Sequence, residues 1–322
     1  MRFYDIFNGD ADGMCALHQL RLAQPRQAEL VTGVKRDNRL LTRVHPAPGD
    51  RLTVLDISLS ENREDLLRIL QGGAHCEYFD HHHAGNVPVD PLLEAHIDTS
   101  ESTCTSLIVD CHLDGAYRPW AVVAAFGDNL TEVALQASAS LRLSDTETDQ
   151  LRSLGECLNY NAYGESIEDL HFHPARLYQI LHVHVDPLAF VESAPEYQTL
   201  RKGYAQDMDK ARTRAIETVG RRCAAVILPD EPWARRVVGM LANELARDHP
   251  DRAHAILLEK KEGYTVSLRA PKSQATRASG IDAVARQFAG GNGRASAAGI
   301  SLLPHSRAPD LFKALRAAYE RA

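Results

Sequence analysis

The chain has 322 residues, 44% apolar and 25% charged, with a net charge of −7. That length suits two domains better than one core. The negative balance argues against a general duplex-DNA binder, and no apolar run approaches membrane-spanning length. The six cysteines are scattered without a CxxC pair, which reads as reduced thiols in a cytoplasmic protein, not a disulfide frame or zinc knuckle. The opening MRFYDIFNGD lacks the charged start and apolar stretch of a secretory signal.

In chain order, Arg2–Phe7 alternates and is β-rich, and a helix is expected over Gly13–Ala23. Strands are expected at Glu29–Val34, Arg51–Ile57, Cys76–Phe79 and His96–Asp98, with an acidic helix over Ser60–Leu70. Helices follow over Ser102–Leu113 and Trp120–Leu130, and Leu141–Leu181 reads as helical. Ala194–Thr218 is predicted to be one long, charged helix. A second αβ unit starts near Cys223: strand CAAVILP, helix WARRVVGMLANELA, strands AHAILLE and GYTVSLRA, helix GIDAVARQF, a Gly-rich turn, strand AAGISLL and a last helix. The expected fold is α/β: an N-terminal parallel-sheet α/β/α domain (1–190), a helical linker (191–220) and a smaller α/β domain (221–322). Ligands of such a sheet sit at the carboxyl ends of its strands.

Charge is divided unevenly. From Gly220 onward there are 17 Lys+Arg against 10 Asp+Glu, a net +7, and the remainder carries −14. An acidic first part followed by a basic second suits cations in one and an anionic substrate on the other, although domain charges also vary without such a role.

Three acidic clusters fall at predicted strand ends: Asn8-Gly9-Asp10-Ala11-Asp12-Gly13, Asp56 closing VLD, and Asp80-His81-His82-His83. Carboxylates and imidazoles on one edge of a parallel sheet make an oxygen-rich site with some nitrogen, suited to Mn²⁺ or Mg²⁺. Asp128 in AAFGDN is a fourth candidate. A lone DxDG reads better as a helix N-cap and turn. The ordered series at successive strand ends is much less expected by chance.

In that order FNGDADG, VLDIS, FDHHH and AFGDN resemble motifs one to four of the DHH phosphoesterases. GGNGRASAAG resembles the glycine-rich signature of the companion DHHA1 domain. The resemblance implies a two-metal site: Asp10 and Asp56 on the first ion, and Asp12, Asp56, His81 and Asp128 on the second. His82 would sit beside the substrate phosphate, with Asp80 in the same catalytic set. Two close cations would lower the pKa of a water between them and neutralise phosphoryl charge during in-line attack. On the second domain, Arg269, Gly291, Asn292, Gly293 and Arg294 would grip substrate.

The pattern departs from the family in three places. Ile6 stands where many members have a metal-binding histidine, Asn8 where the single-strand exonuclease branch often has Asp, and Arg294 where the family has the histidine of GGGH. An arginine keeps anion binding there but cannot act as an acid near neutrality. His83 reads equally as a ligand and as a solvent-facing loop residue. The pairs His171/His173 and His182/His184 read as surface or packing histidines. Cys104 has no paired base to make it a nucleophile.

The resemblance implies a phosphoesterase acting on short single-stranded oligonucleotides or small nucleotides through a metal-activated hydroxide. A homodimer is compatible with this reading. Polyphosphate or pyrophosphate is the alternative substrate, and a catalytically weak nucleotide sensor the alternative function.

Overall fold

In the first strand, β1 (Phe3–Phe7), Tyr4 and Ile6 enter one core and Phe7 another. Both faces of the sheet are therefore covered, as a parallel sheet requires. The computed structural model describes residues 1–214, 216–274 and 280–320. The chain divides into two compact units, Met1–Lys202 and Gly203–Ala322.

The first unit continues with α1 (Ala11–Ala23), β2 (Glu29–Val31), β3 (Arg51–Leu55), α2 (Leu59–Gln71), β4 (His75–Asp80) and β5 (Leu93–Ile97). The strands are all parallel, in the order β2-β1-β3-β4-β5. Helices α3 (Thr105–His112), α4 (Arg118–Gly127), α5 (Thr131–Ala139), α6 (Asp145–Ala162), α7 (Pro174–Leu181) and α8 (Pro187–Ser193) follow. Residues of α1, α3, α4 and α6 share a core with Phe7, Leu55 and Phe79, while α2 covers Ile6, Val54 and Tyr78 on the opposite face.

Two details hold α1 and α4 in place. Inside the sheet, Arg21 of α1 makes a bidentate pair with Asp5 of β1, at 2.8 and 2.7 Å, and reaches Thr53 of β3. Both charged side chains are almost fully buried, so each depends on the other for its solvation. At the α4–α6 crossing, a Cβ on Gly155 would stand 2.2 Å from the Val123 carbonyl oxygen. Only glycine lets the two backbones approach this closely.

Helix α9 (Pro195–Arg212) spans the division between the units. It ends earlier than the sequence pattern suggests. The β-branched stretch that follows forms β6 (Ile216–Gly220), pairing antiparallel with β7 (Cys223–Leu228). A ladder of backbone hydrogen bonds outweighs helical propensity there.

The second unit continues with α10 (Pro232–Asp248), β8 (Ala253–Lys260), β9 (Gly263–Arg269), α11 (Ile281–Ala285), β10 (Gly291–Gly293), β11 (Ala297–Pro304) and α12 (Ala308–Tyr319). Its sheet is mixed, in the order β10-β11-β9-β8-β7-β6, with β7 and β8 parallel and the other pairs antiparallel. Leu257, Val266, Leu268, Ile300, Leu311 and Leu315 belong to one core there. The glycine-rich segment expected as a turn begins as this short edge strand. Gly290, at φ +72°, leads into it.

Candidate metal centre

The carboxyl ends of β1, β3 and β4 lie side by side, because Phe7 is in register with Leu55 and Leu55 with Phe79. The residues that follow these strands therefore converge at one sheet edge. Asp10 caps α1: its Oδ1 accepts from the Asp12 and Gly13 backbone N–H groups at 3.0 and 3.1 Å. The cap reading of DxDG is thus realised at Asp10. Gly13 is required by the turn, since a Cβ would stand 2.4 Å from the Asn8 carbonyl oxygen.

Asp12 points the other way, into the site. Its two oxygens accept from the backbone N–H groups of Thr105 and Ser106 at 2.8 and 2.7 Å. These are first-turn donors of α3 that have no partner within the helix, a natural seat for an anion. Ser106 Oγ also donates to the Asp12 carbonyl, at 2.8 Å.

Asp56 adopts φ +59°, in the left-handed region. A non-glycine residue there carries backbone strain of the kind that collects at functional sites. Its Oδ1 accepts from Thr105 Oγ1 at 3.1 Å.

His81 lies among three carboxylates. Its Nε2 is 3.4 Å from Asp56, 3.9 Å from Asp12 and 4.0 Å from Asp128. Two donors on one ion, each about 2.1 Å from it, lie about 3.0 Å apart when adjacent and about 4.2 Å apart when opposed. The spacings from His81 fall in that window, so its Nε2 and each of these carboxylates are, pair by pair, at the separation of two ligands of one divalent cation. Asp56, His81 and His82 also each offer a donor atom within 4.8 Å of the others.

The charges are crowded. Burial, then the charges of Asp12 and Asp10, push the Asp56 carboxyl well above its usual range. Burial raises Asp128 as well, Lys35 opposes the rise and Asp12 adds to it. Burial works against protonation of His81, but Asp56, Asp12 and Asp128 outweigh it and hold the ring up to about 10. Without a cation the cluster therefore retains protons that a cation would displace.

His82 is turned by Asp80, whose Oδ1 is 2.7 Å from His82 Nδ1. The carboxylate accepts only, which places the proton on Nδ1 and leaves Nε2 free. Asp80 is fully buried and also accepts from the Leu59 N–H, at 3.4 Å. It is a positioning group for His82. The His83 side chain is exposed.

Sequence reasoning missed three residues. Thr105 and Ser106 open α3, which begins three residues later than expected, and Cys104 is its cap. Lys35, beyond the end of β2, forms an ion pair with Asp10 and lies 3.7 Å from Asp128. Its position after an edge strand of the sheet was the available signal. Burial opposes, yet Lys35 holds the Asp10 carboxyl below its usual range.

In the second unit Arg269, at the end of β9, is in register with Ala297, and Gly293 with Ala298. Arg269 and the Arg294 turn thus share one end of the ladder. Arg269 donates to Asn243 at 2.8 Å, Ser267 at 3.1 Å and the Leu268 carbonyl at 2.9 Å. Arg294 is exposed, and its backbone N–H donates to the Ala297 carbonyl at 2.8 Å.

Of the thiols, Cys15 and Cys104 are fully buried, and burial and Asp12 hold both well above their ordinary pKa. Cys111 is exposed. His182 packs against His18, with Nδ1 atoms 3.0 Å apart. No helix among the described residues is long and apolar enough to cross a membrane.

No family model matches the chain, and no curated protein does. Solved structures do match. An exonuclease RecJ bound to manganese superposes with a TM-score of 0.62 at 14% identity, over 100% of this chain and 90% of that one. The pGpG-specific phosphodiesterase PggH from Vibrio cholerae gives 0.59 at 14% identity, over 99% of each chain. An exopolyphosphatase-related protein from Bacteroides fragilis gives 0.50 at 12% identity, over 99% of this chain and 92% of that one. At such identities the likeness is one of fold, and the fold of this chain is that of these structures.

Proposed function

We propose that the chain is a metal-dependent phosphoesterase that hydrolyses short oligonucleotides or small nucleotides. The observation that carries this reading is the convergence of Asp12, Asp56, Asp128 and His81 at the carboxyl edge of a parallel sheet. The fold shared with RecJ and PggH supports it, as does the manganese bound to that RecJ. A substrate of dinucleotide size, as the name of PggH states for that protein, is the first case to test.

A divalent ion, when bound, supplies Lewis acidity toward phosphoryl oxygen and lowers the pKa of a water. The chain's own residues do the rest. Asp12, fixed by the α3 N-terminus, and Asp56, fixed by Thr105, present oxygens without further rearrangement. His82, with Nδ1–H held by Asp80, turns Nε2 toward the phosphate, where its protonated form donates to a phosphoryl or leaving oxygen. Arg269 and Arg294 provide cationic charge for an anionic substrate on the second unit.

The test is a Mn²⁺-dependent hydrolysis panel: a short RNA, linear and cyclic diguanylate, a 3′-phosphorylated adenosine nucleotide and pyrophosphate. EDTA-sensitive turnover of a nucleotide substrate, lost in both Asp12→Ala and His81→Ala, is the expected result. Binding without turnover across the panel would replace the hydrolase with a nucleotide sensor. Turnover of pyrophosphate alone would move the substrate class.

A further inference from the structure

A two-ion centre needs a ligand for the first ion that does not serve the second; in this chain that ligand is Asp10, and Lys35 occupies it. Ile6 is fully buried in the core that α2 covers and offers no donor. Asp10 differs from Asp12 in meeting a cation: its Oδ1 caps the first turn of α1, and its Oδ2 faces the Lys35 ammonium, where a metal ion would otherwise stand. Lys35 Nζ also lies 3.7 Å from Asp128 and 5.7 Å from the centroid of the Tyr163 ring.

The lysine is delivered by a built segment. Its backbone N–H donates to the Ala162 carbonyl at 2.9 Å. Its carbonyl accepts from Asn8 Nδ2 at 3.2 Å, a bond that an aspartate at that position could not donate. Upstream, Gly9 and Gly33 approach so closely that a Cβ on Gly9 would stand 2.1 Å from the Gly33 carbonyl oxygen. Ile6, Asn8 and Lys35 therefore form one consistent arrangement.

We propose that the Lys35 ammonium takes the place of the first cation, so that the centre accepts a single divalent ion, held by Asp12, Asp56, His81 and Asp128. The proposal rests on the metal-dependent reading above. A fixed positive charge against Asp10 repels a second cation and still provides N–H donors to a phosphoryl oxygen. It cannot coordinate a water, so a single ion must supply the nucleophile.

Metal counting on the full chain tests this, with Mn²⁺ as the only probe. Wild-type protein is expected to retain one Mn²⁺ per chain by elemental analysis and calorimetry. Its electron paramagnetic resonance should stay an isolated six-line pattern at excess metal. Lys35→Ala, checked for folding by circular dichroism, is expected to gain a second ion and the spectrum of an exchange-coupled pair, whose ions lie about 3.5–4 Å apart. Lys35→Arg should keep the count at one. Two coupled ions in the wild type would overturn the proposal while leaving the phosphoesterase reading intact. A folded Lys35→Ala that still holds one ion would also overturn it. Failure to bind Mn²⁺ at all would sink the metal-dependent reading, and this inference with it. Should Lys35→Ala not fold, the wild-type count and spectrum still decide.

Discussion

Asp5 and Arg21 lie inside the first unit with almost no contact with water, and neither touches the metal cluster's donors. Removing one partner leaves the other buried and uncompensated, so Arg21→Ala should cost about 3–5 kcal/mol in urea denaturation. The Asp80–His82 pair behaves differently, because its loss should show in rate and not in stability. Asp80→Asn replaces the acceptor-only carboxylate with an amide that can also donate, so the His82 tautomer is no longer fixed. It is expected to lower kcat about 10- to 100-fold with little change in KM, and to displace the pH profile. His81 gives a third residue-scale expectation. Its ring, held up to about 10, is protonated at neutral pH in the metal-free protein, whereas a cation needs it neutral. Mn²⁺ binding should therefore release protons. Affinity should strengthen as pH rises toward 10, by up to about tenfold per unit for each proton displaced. Calorimetry in buffers of different ionisation enthalpy reads that release directly. An affinity that weakens as pH rises over this range would contradict the protonated cluster.

Helices α4 and α6 cross at Gly127 and Gly155, where a Cβ on Gly127 would come within 2.6 Å of the Ala11 Cβ. Gly155→Ala should separate the pair, at a cost of about 1–3 kcal/mol, and loosen Asp128, the C-cap of α4, along with it. Mn²⁺ affinity should weaken in proportion, and a stable variant with unchanged affinity would exclude that coupling. Strands β1, β3 and β4 were legible in sequence because each ends in a charged or turn-forming cluster, whereas β2 stops at Val31, short of the expected Val34, and β5 runs Leu93–Ile97 where His96–Asp98 was expected. Asp12, Asp56, His81 and His82 could be named as candidates from those clusters, and Asp128, the C-cap of α4, through the motif resemblance. Two features were not legible. The strand Ile216–Gly220 was hidden by the charged helix before it, and pairing with β7 decided its structure. Lys35, Thr105 and Ser106 belong to segments whose approach to the site depends on close backbone packing and a helix N-terminus, which no local pattern records.

Each unit carries its own sheet and its own core. Calorimetric unfolding is therefore expected to resolve two transitions, with Mn²⁺ raising the one that belongs to the acidic cluster. A single transition that moves as a whole would mean that the two units unfold together. From Gly220 onward the chain carries a net charge of +7, and the remainder −14.

Cys104 caps α3, the helix whose first turn holds Asp12, and it is sealed from solvent with its thiol protonated. A folded chain should thus offer a bulky alkylating reagent the exposed Cys111, while Cys104 stays silent until the α3 turn lifts away. The labelling rate of that thiol, counted by mass spectrometry, becomes an internal clock for opening of the sheet's carboxyl edge, and bound metal should slow it.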